Sequence, residues 1–299
     1  MNFKTIVEDI KNLKIQGAQN VAKASVRALQ IAAKDIRKER KIDQVHALNK
    51  TKNILFQTRP TEPAMRNSLN YIMNNIEEAD HIYEEITKRA EEVNKHFDFV
   101  KNKIAQIGAK KIKNGMIIFT HCHSSSVIEI LKQAKKQNKK FTVHNTETRP
   151  RFQGRITAQE LARLGIPVVH YIDSAARLAL KKADIMLLGA DAITTEGKVI
   201  NKIGSELFAE VAEKWDVSLY VCTDSWKFDP KSIFGYEEEI EKRNFREIWP
   251  TAPKGVQIHN YAFEKIDPEL ITGIISELGI YNPTIFVEEI KRAYPWMFR

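Results

Sequence analysis

The fold of this chain is decided by residues 116–127, which read MIIFTHCHSSSV. The run from Met116 to Phe119 is continuously apolar and predicts a short buried strand, and a helical pattern follows from Val127. Polar and nucleophilic side chains lie between these two elements. In open α/β folds, ligands bind where strands end and helices begin. Cys122 at this position would face a helix N-terminus, whose unpaired amides favour the thiolate, so the stretch predicts a substrate brought to Cys122.

Short apolar segments alternate with helical patterns from Gly115 to the end of the chain. Such alternation implies a mainly parallel sheet that is covered by helices on both faces. The predicted strands are Met116–Thr120, Phe141–Asn145, Val168–Ile172, Ile185–Leu188, Ser218–Cys222 and Leu270–Ile275. The predicted helices are Val127–Lys136, Ala158–Leu164, Ser174–Lys181, Gly204–Trp215 and Pro283–Ala293.

The N-terminal part of the chain has a purely helical pattern. Apolar residues recur three and four positions apart, as at Val26 and Leu29 and again at Ile72 and Ile76, without strand-like alternation. We therefore predict a helical domain over residues 1–112, which includes a long linking helix from about Glu77 to Lys111, and a catalytic domain over residues 113–299.

Composition restricts the class of protein. The 299 residues are 43% hydrophobic and 28% charged, which is typical of a soluble globular protein long enough for two domains. The formal net charge of +9 predicts anionic partners, either nucleic acid or phosphorylated small molecules. Interleaved Lys and Glu residues fit an ordinary lysine-rich surface equally well. The two cysteines form no Cys-x-x-Cys pair, and we find neither a signal peptide nor an apolar run of membrane-spanning length, so we expect a reducing cytoplasm and no membrane partner.

Three polar segments, residues 120–126, 146–158 and 189–204, follow predicted strands. Asp191 would carry a carboxylate to the rim of the sheet, and Lys202 beside a helix start could cradle an anion. Plainer interpretations are that Cys122 fills the core and that Asp191 caps a turn. A metal site formed by residues 121–123 is disfavoured, because strand geometry would put both histidines on one face and Cys122 on the other, and no further ligands are evident.

Several function classes are excluded by motifs that the sequence lacks. There is no Gly-x-Gly-x-x-Gly fingerprint, Walker loop, His-Glu-x-x-His or Gly-x-Ser-x-Gly elbow, which argues against redox chemistry, nucleotide hydrolysis and ordinary esterase chemistry. A thiol, a carboxylate and several cations remain. This set suits acid–base chemistry on a phosphorylated substrate, such as an aldose–ketose isomerisation.

At these residues the chain resembles a known superfamily. It is the one that holds the regulatory subunits of translation initiation factor 2B, methylthioribose-1-phosphate isomerase and archaeal ribose 1,5-bisphosphate isomerase. The motifs that carry the resemblance are Ile15–Ala18, Thr58–Thr61, Thr120–Cys122, Glu147–Pro150, Gly189–Asp191, Asn201–Gly204, and Lys227 and Phe228 with Pro230. The run Thr-His-Cys-His-Ser, with Thr-Arg-Pro-Thr near residue 60, is most similar to the ribose 1,5-bisphosphate isomerase branch.

The resemblance implies an α/β protein, with an N-terminal helical domain followed by a Rossmann-like domain with a mainly parallel sheet. It implies conversion of ribose 1,5-bisphosphate to ribulose 1,5-bisphosphate in archaeal AMP and nucleoside monophosphate degradation. Cys122 would take the proton from carbon 2, and Asp191 would act as the acid that serves the oxygens on carbons 1 and 2. The implied substrate-binding residues are Gln16, Gly17, Ala18, Gln19, Arg59, Ser124, Ser125, Ser126, Gln153, Asn201, Lys202 and Lys227.

The resemblance also implies a homo-oligomer, a hexamer built as a trimer of dimers, with no cofactor and no metal. Activation by AMP stays open, and direct nucleic-acid binding is not expected, since no recognition module or aromatic platform is visible. Two departures from the family pattern remove cations: Gln16 stands where the family has Arg, and Ser125 where it often has Lys. Two alternatives therefore stand beside the main interpretation: a non-catalytic initiation-factor-like regulatory subunit, and methylthioribose-1-phosphate isomerase.

Overall fold

The computed structural model describes residues 2–236 and 240–298, which divide into two compact units. The helical unit comprises Met1–Phe99, Trp226–Phe228 and Pro295–Arg299, and the sheet unit comprises Val100–Ser225 and Asp229–Tyr294. The division into a helical domain over residues 1–112 and a catalytic domain over residues 113–299 stays a prediction.

The helical unit contains α1 (Phe3–Lys11), α2 (Ala18–Asp35), α3 (Lys41–Thr58), α4 (Pro63–Met73) and the start of α5 (Ile82–Ala109). Residues at the N-termini of these helices explain where they begin. The Asn2 side chain accepts the Thr5 amide at 2.9 Å to cap α1, and Pro63 occupies the first turn of α4, where no amide partner is needed. The long helix begins later than predicted, because Ala79 is extended (ψ 135°) and ends a short 3₁₀ turn at Ile76–Glu78.

Aromatic packing within the helical unit holds Trp226–Phe228. The Trp226 ring stacks on His96 at 4.1 Å between centroids and contacts Tyr71 at 5.5 Å and Trp296 at 5.4 Å. The amide nitrogen of Asn67 donates to the carbonyls of Trp226 and Phe228, each at 2.8 Å. Burial lowers the pKa of His96 to about 4, so the stacked ring is neutral.

The sheet unit is built on a seven-stranded sheet. Its strands are β1 (Ile117–Thr120), β2 (Thr142–Thr146), β3 (Val168–Tyr171), β4 (Ile185–Leu188), β7 (Ser218–Cys222), β9 (Gly273–Ser276) and β10 (Gly279–Tyr281). They lie in the order β10-β9-β7-β4-β1-β2-β3, and every pair is parallel except β9 with β10. The predicted α/β fold class with a mainly parallel sheet is confirmed.

Five helices of the sheet unit follow strands in the chain. They are α6 (Ser125–Lys136), α7 (Gln153–Arg163), α8 (Ala176–Leu180), α9 (Ser205–Lys214) and α10 (Pro283–Ala293). Helix α7 begins five residues before its predicted start at Ala158, because Phe152 adopts a left-handed conformation (φ 58°) and turns the chain into the helix there. Strand β9 likewise begins three residues later than predicted, since Pro268–Leu270 forms a 3₁₀ turn.

A second, three-stranded sheet was not predicted. It pairs β5 (Ala192–Ile193), β6 (Val199–Lys202) and β8 (Phe263–Ile266), with both pairings antiparallel. Two to four residues are too few to show a period, and β6 pairs with a strand about sixty residues away in sequence. None of the described helices is long and apolar enough to cross a membrane.

We expect Asn67→Ala to destabilise the protein by about 2–4 kcal/mol, because it removes the donor shared by two buried carbonyls. The measurement is the unfolding midpoint in urea, followed by tryptophan fluorescence. Asn70→Ala is the matched control, since Asn70 lies on the same helix and is exposed. Equal midpoints for the two variants would show that the Asn67 amide does not anchor this segment.

Candidate active site

Cys122 follows β1 and is held through its own backbone. Its φ of 65° places it in the left-handed region, which non-glycine residues seldom adopt. Its amide donates to Thr148 Oγ1 at 3.0 Å, and its carbonyl accepts from Thr157 Oγ1 at 2.8 Å. Thr148 lies after β2 and Thr157 lies in α7, so two neighbouring segments determine where the Cys122 thiol points.

His121 is a structural residue, which is a role that its sequence position did not reveal. Nε2 lies 3.0 Å from the carbonyl oxygen of Ile203, which can only accept, so Nε2 carries the proton and Nδ1 accepts from Thr146 Oγ1 at 2.5 Å. Burial lowers the pKa of His121 to about 4 and keeps it neutral. With both ring nitrogens engaged it has no lone pair for a metal, and the described ranges contain no cluster of three or more His, Cys, Asp or Glu side chains able to hold one.

The loop after β2 is fixed by Asp173, which the sequence analysis missed. The two carboxylate oxygens of Asp173 accept the amides of Thr148 at 2.8 Å and Arg149 at 2.7 Å. Gly154 in the first turn of α7 must be glycine, because a Cβ atom there would lie 1.7 Å from the Thr146 carbonyl oxygen. In the sequence, this role of Asp173 is indicated only by its position as an acidic residue shortly after the predicted strand Val168–Ile172.

Asp191 follows β4 by way of Gly189. A Cβ atom at Gly189 would lie 2.6 Å from Ser124 Oγ, so only glycine lets the end of β4 approach the start of α6 this closely. The Asp191 amide donates to the Ile200 carbonyl at 2.8 Å, which joins the β4 end to the small sheet. The partly buried Asp191 is thereby placed near the turn that carries Cys122.

The predicted serines start α6. Ser124 is the N-cap, and its hydroxyl accepts the Val127 amide at 3.4 Å, while Ser125 and Ser126 form the first turn. Ser125 is exposed and Ser126 is half-buried. Substrate contacts by these three residues stay predictions.

Lys202 ends β6 and is buried, with 8% of its surface exposed. Its ammonium lies 4.4 Å from the centre of the Phe263 ring. Its backbone is held by Ser205, whose hydroxyl donates to the Lys202 carbonyl at 2.5 Å and accepts from Asn201 Nδ2 at 2.9 Å. Gly204 follows with φ 98°, a conformation that favours glycine.

Charge couples these side chains to one another. Burial raises the pKa of the Cys122 thiol, and this effect exceeds the opposing attraction of Lys202 for the thiolate. The His123 amide and Arg243 also lower the Cys122 pKa, whereas Asp191 raises it. Burial lowers the pKa of Lys202, against the attraction of Cys122 and Asp191. The expected thiolate-favouring effect of the helix amides is thus outweighed by burial, and the Lys202 cation is the strongest of the groups that favour the thiolate.

Gln153 lies in a pocket of the sheet unit that also contains Lys202. Its other lining side chains include Arg149, Arg243 and Tyr261. Gln153 and Lys202 were predicted from the sequence and Arg243 was not, because nothing in residues 240–262 distinguishes this arginine from the surrounding charged residues.

The remaining predicted residues belong to the helical unit: Gln16, Gly17, Ala18, Gln19, Arg59 and Lys227. Gln16 donates to the Leu13 carbonyl at 2.7 Å, and Arg59 forms a buried ion pair with Glu62 at 2.9 Å. Gly17 has φ 84°, which favours glycine, directly before α2 begins at Ala18. The sheet unit by itself therefore brings together Cys122, Asp191 and Lys202, and the substrate contacts expected from the helical unit stay predictions.

Curated relatives match this chain over nearly its whole length. The chain is 37% identical to the ribose 1,5-bisphosphate isomerase of Pyrococcus furiosus, over 98% of this chain and 94% of that protein. It is 35% identical to the ribose 1,5-bisphosphate isomerase of Methanocaldococcus jannaschii, over 99% of this chain and 96% of that protein. A methylthioribose-1-phosphate isomerase of Caldanaerobacter subterraneus subsp. tengcongensis is 31% identical, over 92% of this chain and 86% of that protein.

Among solved structures, the Pyrococcus horikoshii OT3 translation initiation factor eIF-2B superposes with a TM-score of 0.84 at 28% identity, covering 95% of this chain and 98% of that one. The model of the initiation factor 2 subunit family matches residues 14–283. The resemblance inferred from the motifs is confirmed, and the chain belongs to the initiation factor 2 subunit family.

Proposed function

We propose that this protein is an aldose–ketose isomerase that converts ribose 1,5-bisphosphate to ribulose 1,5-bisphosphate. Cys122, Asp191 and Lys202 carry this proposal, because a thiol, a carboxylate and a buried ammonium are coupled by charge at or just after the ends of β1, β4 and β6. The names of the relatives support the same class of reaction, since both kinds of isomerase act on a ribose that is phosphorylated at carbon 1.

The chemistry follows from the substrate. Carbon 1 carries a phosphate ester, so the ring opens by cleavage of the bond between carbon 1 and the ring oxygen. Asp191, as the carboxylic acid, donates a proton to that oxygen, and the Cys122 thiolate removes the hydrogen of carbon 2 to form an enol. The Cys122 thiol then returns this proton to carbon 1, and the Asp191 carboxylate accepts the proton of the carbon 2 hydroxyl. The product is the ketose, and both side chains recover their starting forms.

Electrostatics determine how well Cys122 can act as a base. Burial disfavours the thiolate in the free site, and the nearby Lys202 cation partly offsets this cost. The same ammonium would stabilise negative charge that develops on the substrate oxygens. A regulatory subunit without chemistry would have no need for a buried lysine beside a thiol and a carboxylate.

We further propose, from the resemblance, that the protein acts in the cytoplasm as a hexamer built as a trimer of dimers, and that AMP is a candidate activator. Light scattering after size exclusion measures the assembly. Initial rates with and without AMP test the activation.

Replacing the two reacting groups should abolish turnover. We expect Cys122→Ser and Asp191→Asn each to lower kcat by about 10²–10⁴-fold, the usual contribution of general acid–base groups. Conversion of α-ribose 1,5-bisphosphate by the purified protein is the measurement. Cys222→Ala is the matched control, because Cys222 is the other thiol and lies buried in β7. An inert wild type, or full activity in either variant, contradicts the mechanism.

Removing the Lys202 charge should shift the pH dependence. Because the Cys122 pKa is already raised by burial, kcat/KM should increase with pH on its acid limb until the thiol ionises. Lys202→Met removes the cation that favours the thiolate, so the Cys122 pKa rises and the limb moves to higher pH. Lys202→Arg keeps the charge and should move it less.

The independent readout for this prediction is the pH dependence of thiol alkylation by iodoacetamide, with Cys122→Ser defining the background. An unchanged alkylation profile in Lys202→Met would mean that the Lys202 charge does not set the ionisation of Cys122.

A further inference from the structure

We propose that Arg243 is a substrate-binding residue that holds one phosphate group of the bisphosphate together with Lys202. The inference deepens the proposed function and rests on it for the identity of the substrate. Arg243 lies in the chain between β7 and β8, and both cations line the same pocket of the sheet unit. The free volume of this pocket is about 10 Å³, so a phosphate enters when the flexible Lys202 and Arg243 side chains move apart.

The pocket is positively charged. Its basic side chains are Arg149, Arg151, Lys202 and Arg243, and its acidic side chain is Glu247. Arg151 and Glu247 form an ion pair at 3.0 Å and neutralise each other. The Lys202 ammonium and the Arg243 guanidinium lie 4.4 Å and 5.8 Å from the centre of the same Phe263 ring, so one aromatic side chain lies beside both cations.

The arginine is held in a way that leaves its outer end available. The Arg243 amide donates to the Asn260 carbonyl at 2.8 Å, and Nε donates to Glu241 Oε1 at 3.1 Å. The side chain is only 9% exposed. Within residues 2–236 and 240–298, the two terminal nitrogens of Arg243 donate to no protein group, so they can bind an anion in the bidentate manner typical of guanidinium with phosphate.

The two positive charges of Lys202 and Arg243 favour the binding of an anion in this pocket. Arg243 lowers the pKa of Lys202, which means that the two cations repel each other in a largely buried site. Glu241 offsets part of this repulsion, since it raises the pKa of Lys202 and pairs with Arg243 Nε. A phosphate dianion between the two cations would remove the remainder. Arg243 also lowers the Cys122 pKa, which places the bound phosphate within electrostatic reach of the reacting thiol.

The test compares Arg243→Gln with wild type. Loss of a charge-assisted bidentate contact should raise KM for ribose 1,5-bisphosphate about 10- to 100-fold and change kcat much less. Binding of inorganic phosphate, measured by calorimetry, should weaken about 10-fold or more for the same reason. Arg243→Lys keeps the positive charge but cannot make two parallel hydrogen bonds, so its effects on KM and phosphate binding should be intermediate.

Arg246→Gln is the matched control, because it removes the same charge from an exposed arginine three residues away. It should change neither KM nor phosphate binding. Circular dichroism of each variant verifies folding, and if Arg243→Gln does not fold, Arg243→Lys decides by its KM and phosphate affinity.

The two proposals fail in different ways. An active wild type whose KM and phosphate affinity are unchanged in the Arg243 variants overturns the role of Arg243 and leaves the isomerase standing. A wild type that is inert with the bisphosphate but binds inorganic phosphate through Arg243 overturns the substrate assignment and keeps the anion site. Equal changes in KM and phosphate affinity in Arg243→Gln and Arg246→Gln would show that only the overall charge of the protein matters. That result would also overturn the proposed site.

Discussion

A buried neutral imidazole joins the parts on which the active site depends. His121 accepts from Thr146 at the end of β2 and donates to the Ile203 carbonyl in the turn after β6, so its ring connects the ends of β1 and β2 to the segment that carries Lys202. Burial keeps the ring uncharged, and one nitrogen can therefore accept while the other donates. Cys122 and Lys202 are the immediate neighbours of this connection.

In the active site, burial and nearby charges have opposite effects on the ionisation of Cys122. The thiol of Cys122 is costly to ionise because it is buried, and Lys202, Arg243 and the His123 amide reduce that cost. The two cations are costly to keep together without an anion. A phosphorylated substrate that also excludes water satisfies both requirements, since it supplies negative charge to the cations and strengthens their effect on the thiol.

Much of the fold was accessible from the sequence because the sheet is parallel and buried. The predicted strands Ile185–Leu188 and Ser218–Cys222 matched β4 and β7 residue for residue, and Pro283 marked the start of α10. The family and the fold class were predicted correctly from the same reading. The small sheet of β5, β6 and β8 was missed, because its short strands pair across long stretches of chain. Arg243 likewise gave no local signal, because Lys202 and Phe263 come near it only in the folded chain.

By itself, the sequence determined where strands end and which reactive side chains stand there, because apolar periodicity and chain order are local properties. It therefore indicated Cys122, Asp191 and Lys202 as candidates. Only the tertiary structure decided the direction of their pKa shifts and the residues that hold them in place. Burial and through-space charge raise the pKa of the Cys122 thiol and lower that of Lys202, and both effects depend on neighbours that are distant in sequence. The supports of Cys122, namely Thr148, Thr157 and Asp173, are likewise set by packing between elements, which no local pattern encodes.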